Sequence, residues 1–377
     1  MKQKIGVISI HYGVNFGSSL QAIALQKHLM RTAPDRDVEI INYIPPRFRL
    51  TSRFAAVFSG GAKAAAHKAI WFARFQVNNE RYKRFLKQHA RISPALYSAD
   101  QLKERYAGYD CLITGSDQVW NSDYNRGVDP AYFLRFASEG TKKLSYAASC
   151  GKDGFSDEEW STIREYLSDF TAISLRERSA VQMFEDAGIP GGQFVLDPTF
   201  LFNRNEWGAY EKADPECPKN YLLIYVLDIK GEKIVELAKR IARHKNLKTV
   251  LIASGQSGKA RREYGVDYVA HNKTPDVYID LFRNASYVVT NSFHGVAFSI
   301  NMERQFVAVK RDRYNTRLDS ILGALGLTDR YAETDEAAVK DDIDYTMVNE
   351  RKAALVDASK AFLNKALGVG IHDREDG

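Results

Sequence analysis

Short apolar segments alternate with amphipathic segments along most of the chain. The first apolar run, residues 4–10, predicts a buried strand, and residues 18–30, with apolar positions at helical spacing, predict a helix. Further strands are predicted at residues 38–43, 111–114, 144–148, 172–175 and 194–196, and helices at residues 158–167 and 178–187. Strands that alternate with helices predict a parallel sheet built from right-handed βαβ units.

The alternation stops at residues 203–220 and then resumes. Pro215, Cys217, Pro218 and several charges in this stretch predict a linker. Beyond it, strands are predicted at residues 221–227, 249–253, 286–289 and 305–309, and helices at residues 232–244, 276–284, 294–301 and 316–325. Two alternating halves joined by a linker predict two Rossmann-like domains that face a cleft.

The predicted fold class is therefore α/β, with parallel sheets in two domains. Residues 1–205 form the first domain, which carries a basic helical insertion at residues 47–91, and residues 220–330 form the second. Residues 331–377 form a helical tail, in which the amphipathic stretch 348–367 is predicted to pack back on the domains. The length of 377 residues agrees with two domains of ~150 residues each.

Composition and cysteine usage favour a cytoplasmic protein. The chain is 45% hydrophobic and 27% charged, as is typical of globular proteins. Cys111, Cys150 and Cys217 form no C-x-x-C pair, so neither a zinc site nor a disulfide framework is expected. The apolar run near the N-terminus is too short for a signal peptide, and no run reaches the ~18 apolar residues of a spanning helix.

The net charge of +6 is concentrated in residues 47–91, where basic and aromatic residues alternate. We favour a helical insertion that packs its aromatic side on the domain and exposes its basic side. Contact with an anionic membrane surface is the second interpretation. Nucleic-acid binding is the least favoured, because no recognised nucleic-acid motif accompanies the patch, and no nucleic-acid partner is expected.

A polar motif lies where an apolar, β-branched run at residues 285–289 leads into the helix predicted after it. The motif contains Ser292, His294 and Gly295. Ligands of open α/β sheets bind at the carboxyl ends of strands, and a helix N-terminus there attracts anions. His294 would donate a proton or bind an anionic group at this position, or it would only cap and pack the turn.

Two further polar clusters follow predicted strands of the first domain. In the first, Asn15 and Gly17 would contact a ligand or form only a tight strand–helix turn. The second, at residues 115–121, resembles a sugar-binding surface of carboxylate, amides, hydroxyl and indole, or is a polar loop with the indole as a core residue. Its candidate residues are Ser116, Asp117, Gln118, Trp120 and Asn121.

Arginines follow two more predicted strands. Arg176 would grip a phosphate or carboxylate with its planar guanidinium, or would form a surface ion pair. Residues 310–313, which include Arg311, add positive charge at the same sheet edge or form a solvated loop, with Arg317 close by. Asp197, in an Asp-Pro turn, would hold the domain hinge or form a hydrogen bond with a catalytic group, and the structural role is favoured.

Five short motifs follow one another along the chain. They are Gly-Ser-Ser-Leu-Gln-Ala at residues 17–22, Gly-Ser-Asp-Gln-Val-Trp-Asn at 115–121, Ser-Leu-Arg-Glu at 174–177, Asp-Pro-Thr at 197–199 and Ser-Phe-His-Gly at 292–295. In this order and spacing they resemble the polysaccharide pyruvyl transferase family, from about residue 5 to about residue 326. The resemblance implies a GT-B-like fold and transfer of pyruvate from phosphoenolpyruvate to a sugar, as a cyclic ketal, in capsule, exopolysaccharide or cell-wall synthesis.

The resemblance also implies roles for the candidate residues. The donor would contact Arg176, Ser292, His294, Gly295 and Arg311, with His294 as general acid or phosphate ligand and Arg176 as a further catalytic residue. Asp117 would act as base or orient a hydroxyl, within an acceptor site on the first domain. That acceptor site would comprise Asn15, Gly17, Ser116, Asp117, Gln118, Trp120 and Asn121.

The expected partners are phosphoenolpyruvate and a saccharide acceptor, with no cofactor and no metal. If the acceptor were carried on a lipid, the basic segment 47–91 would hold the enzyme at the inner membrane face. Two rival functions stay open: a glycosyltransferase of the same fold that uses a nucleotide sugar, and a non-catalytic saccharide-binding protein. A thermal-shift comparison of phosphoenolpyruvate with nucleotide sugars would discriminate between the enzymes.

Overall fold

The computed structural model describes residues 2–48, 62–227, 232–253, 264–311, 315–332 and 342–369. These residues contain two parallel sheets with helices packed against them. The α/β class and the pairing of two sheets are as the sequence predicts. Part of the basic segment, residues 49–61, lies outside the described residues, as do residues 312–314 of the predicted basic loop.

The N-terminal half contains a sheet of four strands in the order β2-β1-β3-β4. Two short strands, β5 and β6, pair with each other, and isolated parallel bridges from Leu144 to Ala172 and from Ala148 to Leu175 join them to its edge. The strands are β1 (Lys4–Ile8), β2 (Asp37–Ile41), β3 (Cys111–Thr114), β4 (Lys142–Ser145), β5 (Ser174–Leu175) and β6 (Gln193–Phe194). All pairings are parallel, so the carboxyl ends of these strands lie along one edge.

Helices and short 3₁₀ segments connect these strands. Local capping explains several helix starts: the side chain of Asn15 accepts a hydrogen bond from Ser18 N, and Ser156 and Glu159 form a capping box. The helices are α1 (Phe16–Thr32), α2 (Ala62–His89), α3 (Ala99–Tyr106), α4 (Ser122–Asn125), α5 (Asp157–Leu167) and α6 (Arg178–Asp186). The 3₁₀ segments are Pro46–Phe48, Pro130–Phe133 and Pro198–Leu201.

The C-terminal half contains a parallel six-stranded sheet in the order β12-β11-β10-β7-β8-β9. Its central strands are buried along their length, which accounts for their continuous apolar sequences. The strands are β7 (Tyr221–Tyr225), β8 (Lys248–Ala253), β9 (Tyr268–His271), β10 (Tyr287–Thr290), β11 (Gln305–Val309) and β12 (Tyr331–Ala332). The helices are α7 (Arg204–Gly208), α8 (Glu232–His244), α9 (Pro275–Asn284), α10 (Phe293–Asn301), α11 (Thr316–Leu325) and α12 (Tyr345–Leu367), with a 3₁₀ segment at Thr328–Arg330.

The last helix, α12, packs on both halves of the protein. Near its start, Val348 joins a core cluster made largely by the C-terminal half, whereas Phe362 and Leu363 lie in the core beneath the N-terminal sheet. The hydroxyl of Ser359 accepts a hydrogen bond from Leu196 N at 3.0 Å. The predicted packing of a C-terminal helix against the domains is confirmed.

The segment at residues 203–220, predicted as a linker, is more ordered than its composition indicates. It begins with α7, where Trp207 is fully buried and its indole N–H donates to Thr199 O at 3.0 Å. A tryptophan anchored in this way gives the segment a core position of its own. Sequence reasoning gave weight to the prolines and charges and overlooked this residue.

An apolar cluster joins the two halves beside the cleft. Phe16 at the start of α1 stacks on Tyr278 of α9, with ring centroids 4.5 Å apart. Leu20 and Ile23 of α1 belong to the same cluster, as does Tyr225 at the end of β7. Burial of these side chains holds the β1–α1 turn against the C-terminal sheet.

Helix α2 confirms the predicted amphipathic insertion over the residues described. Tyr82 and Phe85 are buried in the cluster that joins the halves, whereas Arg81, Arg84 and Lys87 are exposed. The aromatic side therefore packs on the protein and the basic side faces solvent. Within the described ranges, none of the helices combines the length and the apolar character needed to cross a membrane.

Candidate active site

The carboxyl ends of strands from both sheets meet around one small cavity. Asn15 and Asp117 come from turns of the N-terminal half, and His294 and Arg317 come from the first turns of two helices of the C-terminal half. The cavity has a volume of about 60 Å³, room for roughly two water molecules at ~30 Å³ each. Its lining comprises Asn15, Asp117, Gln118, Tyr124, Tyr225, Leu227, Ser292, Phe293, His294 and Arg317.

Arg176 lies next to this cavity but is held by carboxylates of its own chain. Its Nη1 donates to Asp197 Oδ2 at 2.8 Å, its Nε lies 3.6 Å from Glu177 Oε1, and its Nη2 lies 3.8 Å from Asp117 Oδ1. The guanidinium carbon is 4.2 Å from the ring centroid of Phe293, a cation–π contact between the two halves. Burial acts to lower the pKa of Arg176, and the three carboxylates outweigh it, so the net shift is upward.

Arg176 does not line the cavity, where the sequence predicted a direct contact with an anion, and its side chain is about 1% exposed. Nη1 is bonded to a carboxylate, and Nε and Nη2 each lie within 4 Å of another. Nε and Nη2 make no hydrogen bond with the described residues. In this arrangement the surrounding carboxylates balance the charge of Arg176, which is placed to position neighbouring groups.

Asp197 lies at the centre of these contacts, although the sequence favoured a structural role over a hydrogen bond with a catalytic group. Its carboxylate accepts hydrogen bonds from Arg176, from the Ser116 hydroxyl at 2.9 Å and from Thr199 N at 2.9 Å. It also lies 3.9 Å from Nε2 of His294. Burial acts to raise the pKa of Asp197, but the opposing effect of Arg176 and His294 is larger. The net shift of the pKa is therefore downward, and the carboxylate stays ionised. It therefore connects the arginine to the histidine.

His294 occupies the first turn of α10 and is 6% exposed. Its Nε2 has no hydrogen-bond partner among the described residues. Burial lowers the pKa of His294 below its ordinary value of 6.5, although Asp197 and Asp117 act in the opposite direction. The imidazole is therefore mainly neutral near pH 7, and a nearby anion would favour its protonation.

Two glycines permit the close packing around this histidine. A Cβ on Gly17 would overlap Cγ and Nδ1 of the His294 imidazole, and a Cβ on Gly295 would overlap the Thr290 hydroxyl. Gly17 therefore sits directly behind the imidazole ring, where the sequence predicted an acceptor contact. Its lack of a side chain lets the start of α1 approach α10.

We expect Gly17→Ala to displace His294 and to lower turnover at least tenfold, because a 1 Å misplacement of a reacting group costs on the order of 10²-fold. Overpacking should also destabilise the fold by about 1–3 kcal/mol. Steady-state kinetics and urea denaturation would measure the two effects. Gly323→Ala is the matched control, since a Cβ there meets open space, and it should retain full activity.

Asp117 lines the cavity in an unusual backbone conformation. Its φ of 72° lies in the left-handed region, which non-glycine residues rarely adopt. The carboxylate accepts hydrogen bonds from the Ser18 hydroxyl and, at 2.9 Å, from Gln118 N. These bonds fix the orientation of the carboxylate at the cavity wall. The structure thus brings Asp117 to the same cavity as His294.

Trp120 does not lie where the sequence predicted. Its indole ring stacks between Phe133 and Phe184, at centroid distances of 5.2 and 5.7 Å, and its N–H donates to Tyr132 O. Neither face of the ring is available to a sugar. The predicted stacking role is therefore wrong, because burial of this large apolar ring in the core wins over exposure in the loop.

Asn121 and Ser116, from the same loop as Trp120, make hydrogen bonds within the protein. Asn121 accepts a hydrogen bond from Tyr124 N at 2.9 Å, capping α4, and donates to the Gln118 side chain at 2.8 Å. Ser116 is fully buried and bonds to Asp197. Neither lines the cavity, whereas Gln118 does. Contact of these three residues with an acceptor stays a prediction.

The cation that faces the cavity is Arg317. It is 8% exposed, and its Nε has no hydrogen-bond partner among the described residues. Burial and repulsion from Arg176 lower the pKa of Arg317 to about 10, so it stays charged at neutral pH. Arg311, which the sequence favoured, does not line the cavity, and its backbone N–H donates to the Asn315 side chain.

The described residues contain no group of three or more His, Cys, Asp or Glu side chains placed to hold a metal ion.

Comparison with known proteins agrees with the resemblance seen in the sequence. A profile of the polysaccharide pyruvyl transferase family matches residues 15–313. No curated protein matches the chain. UDP-N-acetylglucosamine 2-epimerase from Rickettsia bellii shares the fold, with a TM-score of 0.50 and 10% identity over 98% of this chain and 100% of the epimerase. E. coli heptosyltransferase WaaC with ADP gives a TM-score of 0.43 and 12% identity, over 94% of this chain and 100% of the heptosyltransferase. The predicted GT-B-like fold is confirmed.

Proposed function

Because the chain belongs to the polysaccharide pyruvyl transferase family, we propose that it transfers the pyruvyl group of phosphoenolpyruvate to two hydroxyls of a sugar. The product is a cyclic ketal on a saccharide of a capsule, exopolysaccharide or cell-wall polymer, and phosphate is released. The observation that carries this proposal is the cavity in which His294 and Arg317 face Asp117. It combines an anion site with groups able to transfer protons.

The donor would bind from the C-terminal side of the cavity. Phosphoenolpyruvate carries a phosphate and a carboxylate, and the first turn of α10, which contains His294, presents backbone N–H groups to an anion. The backbone N–H of Ser292, the residue before this helix, donates to the Thr290 hydroxyl at 3.1 Å. Arg317 adds a buried guanidinium whose planar donors match either anion. The cavity is smaller than phosphoenolpyruvate, so we expect its walls to separate as the donor binds.

Ketal formation requires one proton on carbon and two carbon–oxygen bonds. A protonated His294 would deliver its proton to C3 of the donor, which becomes a methyl group and leaves C2 cationic. The first sugar hydroxyl then attacks C2 and loses its proton to Asp117. The second hydroxyl then displaces phosphate from C2, which closes the ring. Its proton would return to the neutral His294, and the proton held by Asp117 would pass to the departing phosphate.

Arg176 and Asp197 would act through the groups that they hold. Asp197 lies near Nε2 of His294 and would stabilise the imidazolium once it forms. Arg176 keeps Asp197 ionised and contacts Phe293, the residue before His294. We therefore assign both to positioning the histidine. Asn15 and Gln118 line the N-terminal side of the cavity and would contact the acceptor.

Isothermal titration of phosphoenolpyruvate into the wild type and into Arg317→Ala tests the donor site. We expect the substitution to weaken binding about 10- to 100-fold, since a hydrogen-bonded charge is worth about 1.5–3 kcal/mol. Arg243→Ala, which removes an exposed arginine of α8, should bind like the wild type. Binding of UDP-N-acetylglucosamine, with no binding of phosphoenolpyruvate, would instead favour a nucleotide-sugar enzyme.

A further inference from the structure

A second, larger cavity lies in the N-terminal half beside the candidate active site. Its volume is about 340 Å³, within the range of ~300–1,000 Å³ that is usual for small-molecule sites. Helix α2 forms one wall, and residues 93–97, which follow α2, form another. Nothing in the transfer reaction itself uses this cavity.

The lining of this cavity suits a saccharide. Tyr12 and Phe48 offer aromatic rings, and a sugar ring has an apolar C–H face that packs on such surfaces. Asn79 also lines the cavity, and its amide can both donate to and accept from a hydroxyl. Lys83 and Lys87 at the rim supply further donors. Apolar faces bordered by a few polar groups are typical of ligand pockets.

Aromatic rings connect this cavity to the candidate active site. The rings of Tyr12 and Phe48 lie 4.8 Å apart, and those of Phe48 and Tyr124 lie 6.0 Å apart. Tyr124 lines the active-site cavity, whereas Tyr12 and Phe48 line the second cavity. The same β1–α1 turn contributes Tyr12 to one cavity and Asn15 to the other. The two cavities are therefore neighbours, connected through this row of aromatic rings.

We propose that the second cavity binds the saccharide unit of the acceptor next to the unit that receives pyruvate. This inference rests on the proposed transfer to a sugar. The occupant would lie on Tyr12 and Phe48, with hydroxyls bonded to Asn79 and Lys87. The enzyme would then select oligosaccharide acceptors over single sugars, because only the longer acceptor fills both cavities.

The test compares acceptors of two lengths. Phosphate release from phosphoenolpyruvate is measured with a panel of p-nitrophenyl glycosides, each sugar presented as a monosaccharide and as a disaccharide or trisaccharide. For the sugars that react, we expect wild-type kcat/KM to be at least tenfold higher with the longer acceptor. Ala95→Trp, which places a large ring in the second cavity, should abolish this preference and leave kcat/KM for the monosaccharide unchanged.

Two further variants complete the design. Ala353→Trp, at an exposed position of α12, is the matched control and should keep the wild-type preference. Lys87→Ala should reduce the preference about three- to tenfold, which covers the case in which Ala95→Trp fails to fold. Equal wild-type values for both lengths, or a preference that survives in both cavity variants, would overturn the second site alone. No phosphate release with any acceptor would overturn the transfer reaction, and the second site with it.

Discussion

Replacing His294 with glutamine is expected to lower turnover by about 10²- to 10⁴-fold, the usual contribution of a positioned general acid or base. Glutamine keeps a polar side chain of similar length but cannot deliver a proton to C3 of the donor. The histidine is suited to this role because its Nε2 is buried in the site, has no hydrogen-bond partner among the described residues, and lies 3.9 Å from Asp197. Single-turnover kinetics of phosphate release would measure the chemical step.

His294→Gln should also change the pH dependence of kcat/KM for phosphoenolpyruvate. In the free enzyme, burial lowers the pKa of His294 below 6.5, so the protonated form decreases as pH rises through that pKa. If the protonated form reacts, kcat/KM for phosphoenolpyruvate falls as pH rises through this lowered pKa, and His294→Gln loses this limb. Wild-type turnover in the glutamine variant would eliminate His294 as the acid.

Replacing Asp197 with alanine is expected to destabilise the protein by about 3–5 kcal/mol, because it leaves the buried charge of Arg176 without its hydrogen-bonded partner. The loss should include the bonds that Asp197 accepts from Ser116 and Thr199. Urea denaturation at neutral pH would measure the difference in the free energy of unfolding. Asp153→Ala, at an exposed position, is the control and should change stability by less than about 0.5 kcal/mol.

A double-mutant cycle separates the coupling energy of the Arg176–Asp197 ion pair from the other contributions of the two side chains to stability. We expect Arg176→Met combined with Asp197→Ala to be less destabilising than the sum of the single variants, because the second change removes the charge left unpaired by the first. The contribution of Asp197 also has a defined pH dependence. Its pKa in the folded protein is lowered, so its stabilisation is present above its unfolded pKa of about 3.9 and is lost on acidification below it. Additive effects of the two substitutions would contradict this coupling.

Much of the site could be predicted because its residues follow a simple topological rule. In parallel sheets, polar residues directly after buried strands gather at one edge. Asn15, Asp117 and His294 follow β1, β3 and β10 in this way, and the structure brings all three to one cavity. The β-branched runs that predicted these strands are central and buried, which makes their pattern clear.

The positions of the remaining residues depend on tertiary packing, which a local sequence pattern does not predict. Trp120 lies in a polar loop, yet its ring fills a space between Phe133 and Phe184 that come from distant segments. Arg317 faces the cavity only because α11 begins beside the opposite domain, so its neighbours in sequence gave little signal. Asp197 also follows a predicted strand, but its Asp-Pro turn favoured a structural role, and only the tertiary structure shows its contacts with Arg176 and His294.

The most direct test of the proposed function is the structure of the reaction product. The enzyme would be incubated with phosphoenolpyruvate and a reactive glycoside in deuterated water, and the saccharide would be analysed by NMR. We predict a ketal methyl group on the sugar, deuterium in that methyl group, and one phosphate released for each ketal. Recovery of the glycoside unchanged from the whole acceptor panel, with no phosphate released, would contradict pyruvyl transfer.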